Sequence, residues 1–287
     1  MENIKTRLQK GISGTGLKTI ALILMVLDHI HYFFGFTGII PTFFSMIGRL
    51  SAPLFLFSLV EGFTHTHSRI KYFLKVYIIS IVMNGLLFFM AYIGIFRRGD
   101  GFFPMNGMMT AFAILIVIFQ GIEWICNKKI IRGLLVIIVP FLLPIVLSIL
   151  SITFPKLATP LGLLGYTILP CMDLNPDATS ITVISGIILY LFRKHRKLQV
   201  GAFATFNFLY YFVFMFVLAS KQPDFVWTQM FTTYYEWFSI FAAILMLCYN
   251  GQRGSGHQKF FYIFYPAHIY LFHALGCLIY FLMNRGL

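Results

Sequence analysis

An Asp28-His29-x-His31 run lies inside a long apolar stretch that Lys18 opens. Ionisable residues within a bilayer-length segment are costly, which makes them candidates for function. A carboxylate beside an imidazole suits proton transfer and stabilisation of charge. Lys18 and His29 stand eleven residues apart, roughly 16 Å along a helix. That spacing sets the lysine at the membrane surface and the imidazole near mid-membrane. The plainer alternative is that Asp28 and His29 satisfy each other or another helix. A second stretch, FFSMIGRLSAPLFLFSLVEG, carries Arg49 near one end and Glu61 at the other. Their separation, roughly 18 Å of helix, prevents mutual pairing. It puts Arg49 at a depth to pair with Asp28, or to snorkel outward.

Other polar positions carry weaker signals. The loop THTHSRIKYFLK gathers His65, His67, Arg69, Lys71 and Lys75. Histidines two apart do not share a helix face, so a zinc site is not indicated. A basic membrane-surface loop is the default, and phosphate binding by Arg69 and Lys71 the sharper option. Near the C-terminus, Tyr249-Asn250-Gly251 leads into a glycine-rich loop with Arg253 and Lys259. Glycines with cations at a helix mouth suit a phosphate, although a plain turn explains them too. Tyr265-Pro266-x-His268 then places a kink and a histidine within the last apolar stretch; Tyr265 and His268, with Glu61 of the second stretch, are candidates for substrate contact. Asn106 and Thr110, with Asn84, are polar candidates that in membranes more often join helix to helix.

These residues must be positioned by membrane helices. Of 287 residues, 59% are hydrophobic and 11% charged, where a soluble domain carries about 25% charged. That excludes a soluble enzyme and a disordered chain, and the long unbroken apolar runs argue against a β-barrel. The expected fold is all-α: one domain over 1–287, a polytopic integral membrane bundle of about nine to ten transmembrane helices. Spans are predicted near 17–36, 43–62, 73–95, 106–125, 133–153, 178–192, 200–219, 232–250 and 260–283. The stretch 157–171 is a tenth span, a re-entrant segment or a surface segment. With nine spans and a cytoplasmic N-terminus, 16 basic residues fall inside and 5 outside. A tenth span reduces the contrast to 12 against 9, so positive-inside counting favours nine. The formal charge of +13 is therefore read as topology, not as a sign of nucleic acid. Four isolated cysteines and eight scattered histidines signal neither a disulfide framework nor a metal site. No internal repeat supports an inverted-repeat transporter.

The segments LKTIALILMVLDHI, IGRLSAPLFLFSLVEGFTHTHSRIKYFLK, MNGMMTAFAI, LCYNGQRG and KFFYIFYPAHIYLF, in that order, resemble the TraX family. The family takes its name from the conjugal-pilin acetylase. The resemblance implies an acyltransferase that moves an acyl group, acetyl in the family, from acyl-CoA to an amine or hydroxyl. A looser similarity is to bacterial membrane acyltransferases that O-acetylate envelope sugars, which place a basic residue, ten residues and then a catalytic histidine in their first span. Lys18 and His29 match that spacing. The looser similarity implies His29 as the catalytic residue, here a general base; in a mechanism built on it, Asp28 would be an electrostatic neighbour and Arg49 or Asn106 would face the oxyanion. Lys18, Arg69, Lys71, Asn250, Arg253 and Lys259 would hold acetyl-CoA at the cytoplasmic face of the bacterial inner membrane. The acceptor stays open between a protein N-terminus, a sugar and a lipid. The competing reading is a proton- or ion-coupled transporter built on Asp28, His29 and Arg49, since buried charges serve ion pathways equally well.

Overall fold

The computed structural model describes residues 11–94, 96–105, 107–172, 179–256 and 258–285, with Gln258 and Lys259 by backbone alone. In chain order the main helices are α1 (Gly14–Phe34), α2 (Phe43–Gly48), α3 (Ser51–His65), α4 (Arg69–Tyr92), α5 (Met108–Cys126) and α6 (Ile130–Thr153). There follow α7 (Ser180–Leu191), α8 (Arg196–Asn207), α9 (Tyr235–Leu247) and α10 (Gln258–Met283). α8 runs on through a π-helical stretch, Phe208–Phe214, to Ala219, and α9 opens as a 3₁₀-helix over Tyr235–Phe241. Among the described residues there is no β-strand, only an isolated bridge between Ile12 and Tyr249.

Among the described residues, seven helices are long and apolar enough to cross a bilayer: Gly14–Thr37, Phe43–His65, Arg69–Tyr92, Met108–Cys126, Ile130–Thr153, Arg196–Ala219 and Phe260–Met283. The chain is a polytopic all-α membrane protein. The remaining two predicted spans fall on α7 and α9, which are apolar but shorter. At 1.5 Å per residue the 12 residues of α7 rise only about 18 Å. The stretch predicted as ambiguous is a broken helix, with 3 residues of 3₁₀, 6 of α and 5 of π geometry in succession from Pro155 to Ile168.

The chain packs as two compact units. One is drawn from the residues up to Gly62 and from Ile188–Phe260, the other from Phe63–Ile187 and from Phe261 onward. In the first, Ser13 caps α1, its hydroxyl accepting from Gly16 N–H at 3.2 Å. Leu17, Ala21, Met25, His29 and Phe33 recur every fourth residue of α1 and form its buried stripe. α2 lies against α1, and the 3₁₀ part of α9 packs against α2 and α8.

In the second unit α5 is the central helix, buried on most of its surface, while α6 leaves its Ile, Leu and Val side chains exposed. In a bilayer that exposed surface faces lipid. Pro144 within α6 has no N–H, which frees the Pro140 carbonyl four residues back. Met172 N–H donates to that carbonyl at 3.1 Å and so ties the end of the broken segment to α6. α5 and α6 approach closely at Gly121 and Gly133. A Cβ on Gly133 would stand 2.6 Å from the Gly121 carbonyl oxygen. Small residues permit such crossings, and backbone cannot move aside cheaply. Gly133→Ala is therefore expected to destabilise the protein by about 1–3 kcal/mol, read as a lower unfolding midpoint in detergent; an unchanged midpoint would show that the crossing is looser than described.

Candidate functional site

Asp28 and Arg49 meet in the first unit. The Asp28 carboxylate accepts from the Arg49 guanidinium and, at 2.7 Å, from the Ser45 hydroxyl. Arg49 Nη2 also donates to the Ser45 hydroxyl at 3.0 Å, and its Nε donates to the Ser45 carbonyl at 3.2 Å. Ser45 thus holds both ends of the ion pair. The Asp28 side chain is 19% exposed. Helix α2 can come this near only because residue 48 is glycine, since a Cβ there would fall on the Asp28 side chain. The Arg49 Cζ lies 6.0 Å from the centre of the Tyr235 ring, and the Glu236 carboxylate acts on Arg49 through space.

His29 points elsewhere. Adjacent residues on a helix differ by about 100°, so while Asp28 faces α2, His29 lies on the buried stripe. It is 8% exposed, with the Tyr32 and Phe33 rings centred 6.2 and 6.0 Å away. Eleven residues carry a helix through three full turns and about 20° more, which puts Lys18 on nearly the same line as His29. Lys18 is half-buried near the start of α1, within electrostatic reach of Arg253.

The glycine-rich loop adjoins that end of α1. Gly14 N–H donates to the Gln252 carbonyl at 2.8 Å, and Thr15 N–H and Oγ1 donate to the Arg253 carbonyl at 2.9 and 3.0 Å. Asn250 N–H donates to the Ile12 carbonyl at 3.0 Å, and the Asn250 side-chain oxygen accepts from Gln252 N–H at 2.9 Å. The first amides of α1, which would otherwise attract an anion, are therefore occupied by loop carbonyls. Anion binding here falls to side chains, with Arg253 exposed.

Glu61 is also paired. Its carboxylate accepts from Arg196 Nη2 at 3.0 Å, and Arg196 Nη1 donates to Gln199 Oε1 at 2.8 Å. The guanidinium lies 4.4 Å from the Phe57 ring centre and 5.0 Å from that of Tyr249. Burial, and then the Glu61 carboxylate, hold the Tyr249 phenol above its ordinary range.

The second unit holds the other candidates. Arg69 donates to Glu123 at 3.3 Å and Gln120 at 3.4 Å and lies over the Phe63 ring, while Lys71 is exposed. His268 is 3% exposed; its Nδ1–H donates to the Phe264 carbonyl at 2.9 Å, and its ring stacks on that of Phe264. Tyr265 is buried beside it. Asn84 and Ser80 join Thr110 at 2.8 and 2.9 Å, and Asn84 also donates to the Tyr166 carbonyl at 3.0 Å, which is helix-to-helix glue. Asn106 and the Lys259 side chain lie outside the described residues.

Two residues at these positions escaped the sequence reading. Arg196 counts there only among the basic residues that set orientation, though an arginine facing a lone span-end glutamate is a signal. Glu236 stands in an aromatic run with no neighbouring charge to flag it.

The fold and the half-buried ion pairs define a multi-pass membrane protein with polar groups set within its helices. The sequence matches the TraX protein family over residues 13–169, more than half of the chain, and the chain belongs to that family. It is also 28% identical over 262 residues to the probable fimbrial assembly protein FimC, serogroup H1, of Dichelobacter nodosus, covering 90% of this chain and 93% of the relative. No solved structure matches it.

The Asp28–Arg49 pair yields a double-mutant test. Asp28→Asn and Arg49→Met each leave a partner without its counter-charge, and each is expected to lower the unfolding midpoint. The double variant should lose less than the sum, with a coupling energy of about 0.5–3 kcal/mol. Strict additivity would mean that the pair contributes nothing to stability.

Proposed function

We propose that this protein is an acetyltransferase of the bacterial cytoplasmic membrane, moving an acetyl group from cytoplasmic acetyl-CoA to an amine or hydroxyl of an acceptor. The observation that carries this reading is the buried His29 on one helix line with Lys18, about 16 Å below the basic end of α1. Family membership supports it. The name of the Dichelobacter relative suggests an acceptor among fibre subunits or the proteins that assemble them.

Each part of the site has a task in this scheme. Lys18 and Arg253 bind the CoA phosphates by charge-assisted hydrogen bonds. Asn250 shapes the loop that presents Arg253. The pantetheine arm reaches down the Lys18–His29 line and sets the thioester near the imidazole. The acceptor enters from the side opposite the cytoplasm, and its nitrogen or oxygen attacks the thioester carbonyl. A C–N or C–O bond forms, the C–S bond breaks, and His29 takes the acceptor proton and returns it to the departing thiolate. Arg49, held by Asp28 and Ser45, supplies fixed positive charge toward the oxyanion. Glu61 fixes Arg196 near the same end of the unit. A transporter would require Asp28 to exchange protons or ions, yet its carboxylate already accepts from both Ser45 and Arg49.

The test uses purified protein in lipid nanodiscs with labelled acetyl-CoA and an envelope extract as acceptor source. Wild type should transfer label, and His29→Ala should lower turnover by about 10²–10⁴-fold, the range of general-base catalysis. Lys18→Glu should raise the KM for acetyl-CoA with less effect on kcat. Full transfer by His29→Ala would remove the base role, and unchanged KM in Lys18→Glu would remove the lysine from the phosphate site.

A further inference from the structure

Where α1 begins in the first unit, two hydrogen bonds and two aromatic rings hold Arg196. Its Nη2 donates to the Glu61 carboxylate at 3.0 Å, and its Nη1 donates to Gln199 Oε1 at 2.8 Å. Gln199 is fully buried and donates in turn to the Leu189 carbonyl, in the last turn of α7, at 2.6 Å. The guanidinium is thereby braced against α3 and α7 from the first turn of α8. Its Cζ lies 4.4 Å from the centre of the Phe57 ring and 5.0 Å from that of Tyr249.

Tyr249 carries this brace to the glycine-rich loop. Its ring meets Phe57 edge-on, with centres 5.5 Å apart, and its Cε2 lies 3.7 Å from where a Cβ on Gly14 would stand. Its phenol donates to the same Glu61 carboxylate. Directly after Tyr249 the chain bends at Gly251 and Gly254, both left-handed, with φ of +77° and +75°. Glycines give such a loop many other conformations, so its position depends on what anchors it. The backbone is anchored by the Gln252 and Arg253 carbonyls on the opening amides of α1. The side-chain anchor is the Tyr249 ring, held by Arg196.

Arg196 is poorly placed to bind a phosphate itself. Both Nη groups already donate within the protein, and the adjoining Glu61 carboxylate offsets its charge and repels an anion. Its influence passes through the ring. A cation against an aromatic face is worth most where water is excluded, and the Arg196 side chain is 29% exposed.

We propose that Arg196 is a positioning residue for acetyl-CoA: by holding the Tyr249 ring it fixes loop 250–254, and so sets the Arg253 side chain for the CoA phosphates. The role rests on the acetyltransferase reading, because it concerns that reaction's donor.

The experiment compares wild type in nanodiscs with Arg196→Met, Tyr249→Leu, the double variant and Tyr249→Phe. Each of the first two should raise the KM for acetyl-CoA about tenfold, the size of one desolvated cation–ring contact, and leave kcat within twofold. The double variant should be no worse than either alone, because the arginine acts through the ring. Tyr249→Phe keeps the ring and should recover part of the loss. A merely structural ion pair would lower the unfolding midpoint of Arg196→Met with its KM within twofold of wild type, and that result overturns the proposal. So does a double variant whose KM rise is the product of the two single rises, which would mean that Arg196 acts independently of Tyr249. Should Arg196→Met fail to fold, Arg196→Lys, a point charge without the fork that spans Glu61 and Gln199, is read against the same outcomes. If wild type transfers nothing from acetyl-CoA, the acetyltransferase reading fails. Calorimetric titration with coenzyme A then decides the positioning role. Affinity about tenfold weaker in Arg196→Met supports it; equal affinity, or no binding by wild type, overturns it.

Discussion

The arrangement of the first unit depends on the bond between Asp28 and Arg49. Neither charge is tolerable alone among apolar helices, so the two segments that carry them must meet at one depth and in one rotation. Ser45 completes the bond by donating to the carboxylate and accepting from the guanidinium. Gly48 allows the approach by presenting no side chain to Asp28. Fixing Asp28 toward α2 also fixes its neighbour. His29, about 100° around the helix, is turned into the stripe of Leu17, Ala21, Met25 and Phe33. A residue proposed for catalysis is thus aimed by an ion pair it does not join.

The opposite end of α1 is organised by backbone. Loop carbonyls from Gln252 and Arg253 take up the opening amides of the helix, and the Arg196–Glu61 pair, clamped by Phe57 and Tyr249, closes the same end of the unit. The polarity of α1 is therefore graded. Cationic side chains stand at its start, an imidazole lies three turns down, and an ion pair is set on the adjoining face. The family match ends at residue 169, so it takes in Lys18, Asp28, His29, Arg49 and Glu61, whereas Arg196, Glu236 and Tyr249 lie beyond it. The alignment with the Dichelobacter relative extends over 90% of the chain.

Much of this could be read from residue types and spacing. Continuous apolar runs identify the helices because a bilayer demands length and tolerates little charge. The depth of Arg49 relative to Asp28 follows from helical rise alone, and the ion pair formed as that depth allowed. Asn84 and Thr110 proved to be helix-to-helix glue, the ordinary use of amides and hydroxyls in membranes. What was not legible depends on tertiary placement. The shortness of α7 and α9 reflects where regular helix gives way to turns or to 3₁₀ geometry, and hydropathy does not record it. The loop after Tyr249 has the composition of a phosphate cradle, yet its carbonyls serve as a helix cap, because composition does not say which way a peptide group points. Glu236 becomes noticeable only once the fold sets it within electrostatic range of Arg49.

The central claim is that an acetyl group leaves CoA on the cytoplasmic side and reaches an acceptor that enters from the other side, through His29. Reconstitution into sealed liposomes tests this directly, with labelled acetyl-CoA outside and a glycyl tripeptide amide enclosed in the lumen. The account predicts acetylated peptide in the lumen with wild type, and none above background with His29→Ala. Label appearing only on peptide supplied to the same side as acetyl-CoA would contradict it.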